Sequence, residues 1–179
     1  FNFQDADFAE GFGAFADARR DTPETVDAAV REVLEAVRAR GLEAVLEFTA
    51  RFDGVQLDAG GLRVSVDEIE AGAAACAPEV REAIAFAARR IEAYHARQRP
   101  ADARFTDEAG VELGWRWTAL DSVGIYVPGG RAAYPSTVLM NAVPARAAGV
   151  GRIAMVTPPG RLQPAVLAAA QAAGVSEIW

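Results

Sequence analysis

The stretch that decides the fold is VGIYVPGGRAAYPST, residues 123–137. It begins with an apolar strand, continues into a turn at Pro128-Gly129-Gly130, and leads to a helix predicted over residues 136–148. This order is typical of a ligand-binding loop at the carboxyl end of a parallel strand. Glycine lets a backbone approach a ligand closely, and the amino end of a helix favours an anion such as phosphate. Because glycines also mark turns that hold no ligand, a purely structural turn remains the alternative.

The chain continues beyond this stretch with the same alternation of strands and helices. The pattern predicts a strand over residues 153–157, a helix over 164–173 and a strand over 175–179. Together with strand 123–127, which is apolar enough to be buried on both faces, this gives a β-α-β-α-β order. Such an order implies a parallel sheet with right-handed crossovers. The chain ends within the third strand of this unit, so we expect a fragment of a longer protein.

A helical region precedes the sheet and ends near residue 100. Its first helix, which Gly41 can end, is expected to bury one face formed by Val26, Val30, Val33 and Val37. A second helix is predicted over residues 42–51, a capping box from Ser65 to Glu68 opens a third, and Pro78 starts a fourth. Residues 111–117 then alternate between apolar and polar side chains, which predicts a half-buried strand.

Residues 1–20 are predicted to form an aromatic and acidic arm. Its phenylalanines are Phe1, Phe3, Phe8, Phe12 and Phe15. So many aromatic side chains in a short segment cannot be stable in water unless they are packed. The arm is therefore expected to lie either on its own chain or on a second copy, and the sequence leaves both arrangements open.

Composition restricts the compartment and the partners. The 179 residues carry a formal net charge of −7, with an isoelectric point near 4.8, which disfavours nucleic acid and anionic membrane surfaces as partners. Cys76 is the only cysteine, so an intrachain disulfide is impossible and a reducing setting fits. No apolar run reaches the length of a membrane span, and the first residues do not resemble a signal peptide. These features predict a cytoplasmic protein.

Few side chains in the sequence are suited to chemistry. Tyr126 ends its strand, where its ring can stack on a base or ribose or else fill the core. Ser136 and Thr137 are expected to cap the next helix. His95, the only histidine, is expected to contact a helix dipole or make a core hydrogen bond, because no cluster with metal-ligand spacing surrounds it. Cys76 is expected to pack as a small apolar side chain. We predict no catalytic residue and no metal ligand in this segment.

Four runs stand out in the last seventy residues: GVELGWRWT at 110–118, VGIYVPGG at 123–130, YPSTVLMNAVPARAAG at 134–149 and VTPP at 156–159. Together they resemble the histidinol dehydrogenase family. The Pro-Gly-Gly loop followed by Ser-Thr-Val-Leu-Met and Pro-Ala-Arg is distinctive. Weaker similarity extends upstream through Arg38-Ala-Arg-Gly-Leu-Glu-Ala-Val, Phe52-Asp-Gly and Ile91-Glu-Ala-Tyr-His. In the first of these segments, Leu42 stands where the family usually has Asp. The chain therefore resembles about the first two-fifths of a family member.

The resemblance implies an enzyme that uses NAD and zinc to oxidise L-histidinol to L-histidine through the aldehyde, the last steps of histidine biosynthesis. Tyr126 matches the family tyrosine that contacts NAD, and Gly129 and Gly130 are the cofactor-binding glycines that we predict beside it. The family's zinc ligands and its catalytic Glu-His pair come from segments that follow residue 179. The isolated segment is therefore expected to be inactive, and His95 is not expected to replace those ligands.

The resemblance also implies an α/β fold, in which an amino-terminal arm and helical region precede the first strands of an incomplete Rossmann-like parallel sheet. It places the arm at residues 1–22, the helical part of the first domain at 23–122, and the opening of a second, NAD-facing domain at 123–179. It implies an intertwined homodimer. A non-catalytic nucleotide-binding or subunit-assembly module remains the alternative function, and a different amino alcohol remains open as the substrate.

Overall fold

The computed structural model describes residues 2–4, 6–18, 24–129, 134–160 and 162–179. The contacts within the chain divide it into two units, Phe1–Gln56 and Leu57–Trp179. Among the described residues, no helix is both long and apolar enough to cross a membrane.

The first unit is helical. Helix α1 spans Phe8–Ala18, α2 spans Glu24–Arg40 and α3 spans Leu42–Phe48, followed by a π-helical turn at Thr49–Asp53. Gly41 separates α2 from α3 with a φ of 58°, a conformation that favours glycine. The sequence predicts one helix over residues 42–51, whereas α3 ends at Phe48 and the π-helical turn follows it.

The buried face predicted for α2 is wrong over the first half of the helix. Val26 and Val30 are 48% and 52% exposed, whereas Val33 and Val37 are half-buried. Residues 24–40 are helical, as the spacing predicts, and α2 packs on α3 within this unit. In the arm, Phe8 stacks on Phe12 at 5.4 Å between ring centroids.

Two helices open the second unit. Helix α4 spans Val66–Ala74 and begins with the predicted capping box: the Glu68 N–H donates to Ser65 Oγ at 3.2 Å, and the Ser65 N–H donates to Glu68 Oε2 at 2.9 Å. Helix α5 spans Pro78–Ala96, and Pro78 starts it as predicted because proline lacks the N–H that a first helical turn leaves unpaired.

A β-hairpin follows α5. Strand β1, Ala103–Thr106, pairs antiparallel with β2, Glu112–Trp115. The sequence pattern predicted the second strand but not the first. The prediction that it is half-buried is wrong, because all four residues of β2 are exposed. Among the described helices and strands, neither β1 nor β2 contacts any element except the other.

The predicted β-α-β-α-β order is confirmed. Strands β3, Ser122–Tyr126, β4, Arg152–Val156, and β5, Glu177–Ile178, form a parallel sheet in the order β3-β4-β5. They are connected by α6, Pro135–Ala148, and α7, Pro164–Ala173. Gly149 and Gly174 end these helices in the left-handed conformation.

The sheet buries one face only, which corrects the expectation that strand 123–127 is buried on both. Side chains of alternate residues join the core with α4 to α7: Ile125, Val127, Ile153, Met155 and Ile178. The intervening residues Gly124 and Tyr126 are exposed. The three strands lie in the sheet in chain order. Right-handed crossovers between such strands place both helices on the same side of the sheet, so only one face is covered.

Candidate cofactor site

Tyr126 is the last residue of β3 and lies at the carboxyl end of the parallel sheet. Its side chain is 63% exposed, so the ring does not fill the core of this unit. The next residue, Val127, is 1% exposed, and its N–H donates to the Val156 carbonyl at 2.9 Å. The buried valine fixes the strand end, and the alternation of side chains then directs Tyr126 to the uncovered face.

The glycine loop continues from this strand end. Pro128 and Gly129 are half-buried and belong to no helix or strand. Gly130, the second predicted glycine of the site, lies outside the described residues. Gly129, three residues after Tyr126, is therefore the predicted glycine of this loop that the structure describes.

Helix α6 follows the loop, and its amino end differs from the prediction. The residue that precedes the helix is Tyr134, so Ser136 and Thr137 lie inside the first turn and do not cap it. Among the described residues, no side chain accepts a hydrogen bond at this helix start; the Thr137 N–H donates to the Tyr134 carbonyl at 3.1 Å. A helix start without a side-chain cap leaves backbone N–H groups for water or an anionic ligand.

Two further side chains share the open face with Tyr126. Val156 is the register partner of Tyr126, and Trp179 continues the ladder beside it, since its N–H donates to the Met155 carbonyl at 2.8 Å. Val156 and Trp179 are 49% and 40% exposed. Sequence reasoning missed both residues, although the period of two along each strand was a signal. The result is a row of one aliphatic and two aromatic side chains across the carboxyl edge.

A charged cluster lies beside Trp179. The Arg63 guanidinium is 5.4 Å from the centre of the Trp179 ring and 3.6 Å from Glu177 Oε2. Glu177 is buried, and its other oxygen contacts the Arg152 guanidinium. The Val64 N–H donates to the Ile178 carbonyl at 3.0 Å, so the segment carrying Arg63 lines the outer edge of β5. Two arginines therefore flank one buried carboxylate: Arg63 from the segment beside β5, and Arg152 from the start of β4.

The remaining candidates lie away from this edge. His95 is half-buried in the last turn of α5, 5.1 Å from the Tyr94 ring, in a position that fits the predicted contact with the helix dipole. Cys76 is 5% exposed within the core cluster, which confirms its predicted packing. In the part of the chain that the structure describes, no group of three or more His, Cys, Asp or Glu side chains could hold a metal ion.

A parallel three-stranded sheet connected by helices, with an exposed tyrosine and a glycine loop at its carboxyl edge, defines a mixed α/β protein. The family model for histidinol dehydrogenase matches residues 17–179, nearly the whole chain. The chain belongs to the histidinol dehydrogenase family.

Individual relatives agree with this assignment. A histidinol dehydrogenase from Caulobacter vibrioides is 70% identical over 179 residues, which are 100% of this chain and 42% of the relative. One from Bradyrhizobium diazoefficiens is 56% identical over 176 residues, 97% of this chain and 41% of the relative. The crystal structure of histidinol dehydrogenase from Elizabethkingia anophelis matches with a TM-score of 0.79 at 34% identity, covering 88% of this chain and 37% of that one. The chain thus spans about two-fifths of the curated relatives it matches.

The two cofactors implied by the family fit this segment differently. The exposed ring of Tyr126, the adjoining loop and the uncapped start of α6 suit a dinucleotide, which has flat rings and phosphates. Zinc requires three or four His, Cys or carboxylate ligands, and the described residues offer no such group. The described residues therefore assign no part of the reaction to zinc.

Proposed function

We propose that this chain forms the amino-terminal part of an NAD-dependent histidinol dehydrogenase, which oxidises L-histidinol to L-histidine through the aldehyde. The observation that supports this most is the 70% identity to the Caulobacter vibrioides enzyme along the whole chain. A parent of the relatives' length would carry the zinc ligands and the catalytic acid-base pair in its remaining three-fifths. The segment itself would bind cofactor and support assembly.

The cofactor role is assigned to Tyr126, Gly129 and Gly130. The chemistry that NAD supplies when bound is acceptance of a hydride, once from the alcohol and once from the aldehyde. Tyr126 supports this role because its phenol offers both a flat apolar face and a hydrogen-bonding group at the sheet edge. Glycines in the loop permit close approach of the backbone to a phosphate.

The Rossmann-like character of the sheet, a cytoplasmic location and a homodimer complete the proposal. The parallel order of β3 to β5 supports the first, and the single cysteine, which fits a reducing compartment, supports the second. The homodimer is what the family resemblance implies. We assign residues 1–22 to an arm, 23–122 to the helical part of a first domain and 123–179 to the opening of a second. The competing proposal, a non-catalytic nucleotide-binding or subunit-assembly module, is favoured only by the lack of a metal-binding group among the described residues.

A genetic test separates these two functions. A full-length parent gene should restore growth without histidine to a bacterium that lacks its own histidinol dehydrogenase, whereas the 179-residue segment should not. A parent that binds NAD but neither restores growth nor oxidises histidinol would support the non-catalytic module or another amino alcohol as substrate.

The cofactor role is tested by Tyr126→Ala in the full-length parent. Losing one stacking or hydrogen-bonding partner should weaken NAD binding by about 1–3 kcal/mol, roughly tenfold to a hundredfold in Kd, measured by calorimetric titration. Tyr94→Ala is a matched control, because Tyr94 is also 63% exposed but lies on α5. Zinc content should not change in either variant. Unchanged NAD affinity together with a lower melting temperature would assign Tyr126 to packing.

A further inference from the structure

A second concave site lies at the opposite end of the sheet from Tyr126. It is a cavity of about 460 Å³ between the end of α5 and the end of α6, named here the α5–α6 pocket. The residues that give it chemical character are His95, Gln98, Arg99, Trp117, Pro144 and Gly149. Gly149 ends α6 shortly before β4 begins at Arg152, so the pocket lies where the strands start. Its volume is in the range of small-molecule sites.

The pocket contains cationic and donor groups without partners. Among the described residues, none forms an ion pair or hydrogen bond with the side chain of Arg99 or with the imidazole of His95. The His95 ring meets the edge of the Tyr94 ring at 5.1 Å between centroids. The lining includes no Asp or Glu, although the chain carries 25 acidic residues. The nearby Asp102 carboxylate already accepts a hydrogen bond from the backbone N–H of Trp117 at 2.8 Å. The nearby Glu92 already pairs with Arg146 at 3.2 Å.

The helix ends around the pocket do not reverse this preference for an anion. A helix carboxyl end normally favours a cation, because its last carbonyls lack partners. Here the N–H groups of Arg97 and Gln98 donate to α5 carbonyls at 3.2 and 3.0 Å. The N–H groups of Gly149 and Val150 donate to α6 carbonyls at 2.9 and 3.1 Å. Two of the last carbonyls of each helix are therefore paired, and the polar side chains that the lining leaves for a ligand are Arg99, His95, Gln98 and Thr118, of which Arg99 carries a permanent positive charge.

The apolar part of the lining is flat. Trp117 is 60% exposed, so most of its ring is available, and Pro144 contributes apolar surface from α6. A guanidinium binds carboxylate or phosphate in a planar two-pronged geometry, and an indole face accepts a planar ring. We propose that the α5–α6 pocket binds a small organic anion, a carboxylate or phosphate carried on a planar ring, with Arg99 and His95 on the anionic group and Trp117 under the ring.

The single histidine gives a direct assay on this chain. The ring-proton NMR signals of His95 are unique, because the sequence has no other histidine. Phenyl phosphate and benzoate should each shift these signals to saturation at millimolar concentrations, whereas neutral benzyl alcohol should not. The ratio of the two affinities identifies phosphate or carboxylate as the preferred group. Neither histidinol nor NAD is present, so this result is independent of the proposed dehydrogenase function.

Variants locate the site. Arg99→Gln should weaken binding of the preferred probe about tenfold, the usual effect of losing one charge-assisted hydrogen bond. Arg97→Gln removes the same charge from a residue outside the lining and should change affinity less than twofold. Trp117→Leu should weaken both probes; because Trp117 is largely exposed, folding does not depend on its ring.

Three results would overturn the proposal. His95 signals could stay fixed with both anions. The two arginine variants could weaken binding equally, which would mean diffuse electrostatic attraction. The signals could instead shift with protein concentration alone, which would mean that a second copy of the chain fills the pocket.

Discussion

Substituting Glu177 tests how strand β5 is held to the segment that precedes α4. It is 8% exposed, Arg63 lies 3.6 Å from one carboxylate oxygen and Arg152 contacts the other. Glu177→Gln keeps the shape of the side chain and removes its charge. The two arginines then surround a neutral amide, and the tie between the segment preceding α4 and strand β5 is weakened.

The structure sets the size of the effect. Unit charges 3.6 Å apart attract by about 1 kcal/mol in water and about 5 kcal/mol at an effective dielectric constant of 20. Removing one partner of a fully buried pair costs about 3–5 kcal/mol, whereas exposed pairs contribute about 0.2–1 kcal/mol. Because the Arg63 and Arg152 side chains are 57% and 62% exposed, both can turn to water once the carboxylate is gone. We therefore expect the free energy of unfolding to fall by about 1–2 kcal/mol.

Urea unfolding of the chain, followed by circular dichroism, measures this change. Glu112→Gln is a matched control, because Glu112 pairs with Arg104 at 3.5 Å with both side chains exposed, and it should cost less than about 0.5 kcal/mol. A double-mutant cycle with Arg152→Gln should give a coupling energy above about 0.5 kcal/mol. A loss for Glu177→Gln no larger than that of the control, with no coupling, would refute the reasoning.

Three other predictions concern single side chains in the second unit. Ser65→Ala should lower the free energy of unfolding by about 1 kcal/mol, since it removes the cap of α4, and urea unfolding measures this. The hydrogen bonds from the Ser65 hydroxyl and then from its backbone lower the pKa of Glu68 below 4.5; the stabilisation is therefore complete above pH 4.5 and lost as the pH falls below it, an acid dependence that Glu68→Gln should remove from unfolding curves. The Cys76 thiol should react with a disulfide reagent in urea but not in the native chain, because it is 5% exposed; rapid native labelling would contradict its packing.

The parts of the fold that the sequence predicted depend on local signals. Pro78 and the capping box at Ser65 mark helix starts, Gly149 and Gly174 mark helix ends, and the structure has each boundary where expected. The proline and the glycines act through their own backbone geometry, and the capping box acts through hydrogen bonds between residues three apart, so one sequence is enough to interpret them. The alternation of short apolar strands with helices predicted the parallel sheet, because strands that are joined by a helical crossover run parallel.

The parts that the sequence did not predict depend on what lies beside an element. Strand β1 contains Arg104 and Thr106 and is too short and polar to show a clear period, so only its pairing with β2 defines it. Val26 and Val30 have the spacing of a buried face, but burial requires a neighbour. Serine is a common capping residue, but α6 begins at Pro135, one residue before Ser136.

The candidate cofactor site shows the same division within a single feature. Tyr126 could be found from sequence because it adjoins a glycine turn, which is a local signal. For Val156 and Trp179 the period of two was only a partial signal, because they join Tyr126 through the register of three strands, and a shift of one residue would turn each to the covered face. The row is therefore set by sheet pairing, and the buried alternates Ile125, Met155 and Ile178 maintain that register by filling the core. A substitution in that core can consequently disturb the cofactor edge without touching any residue on it.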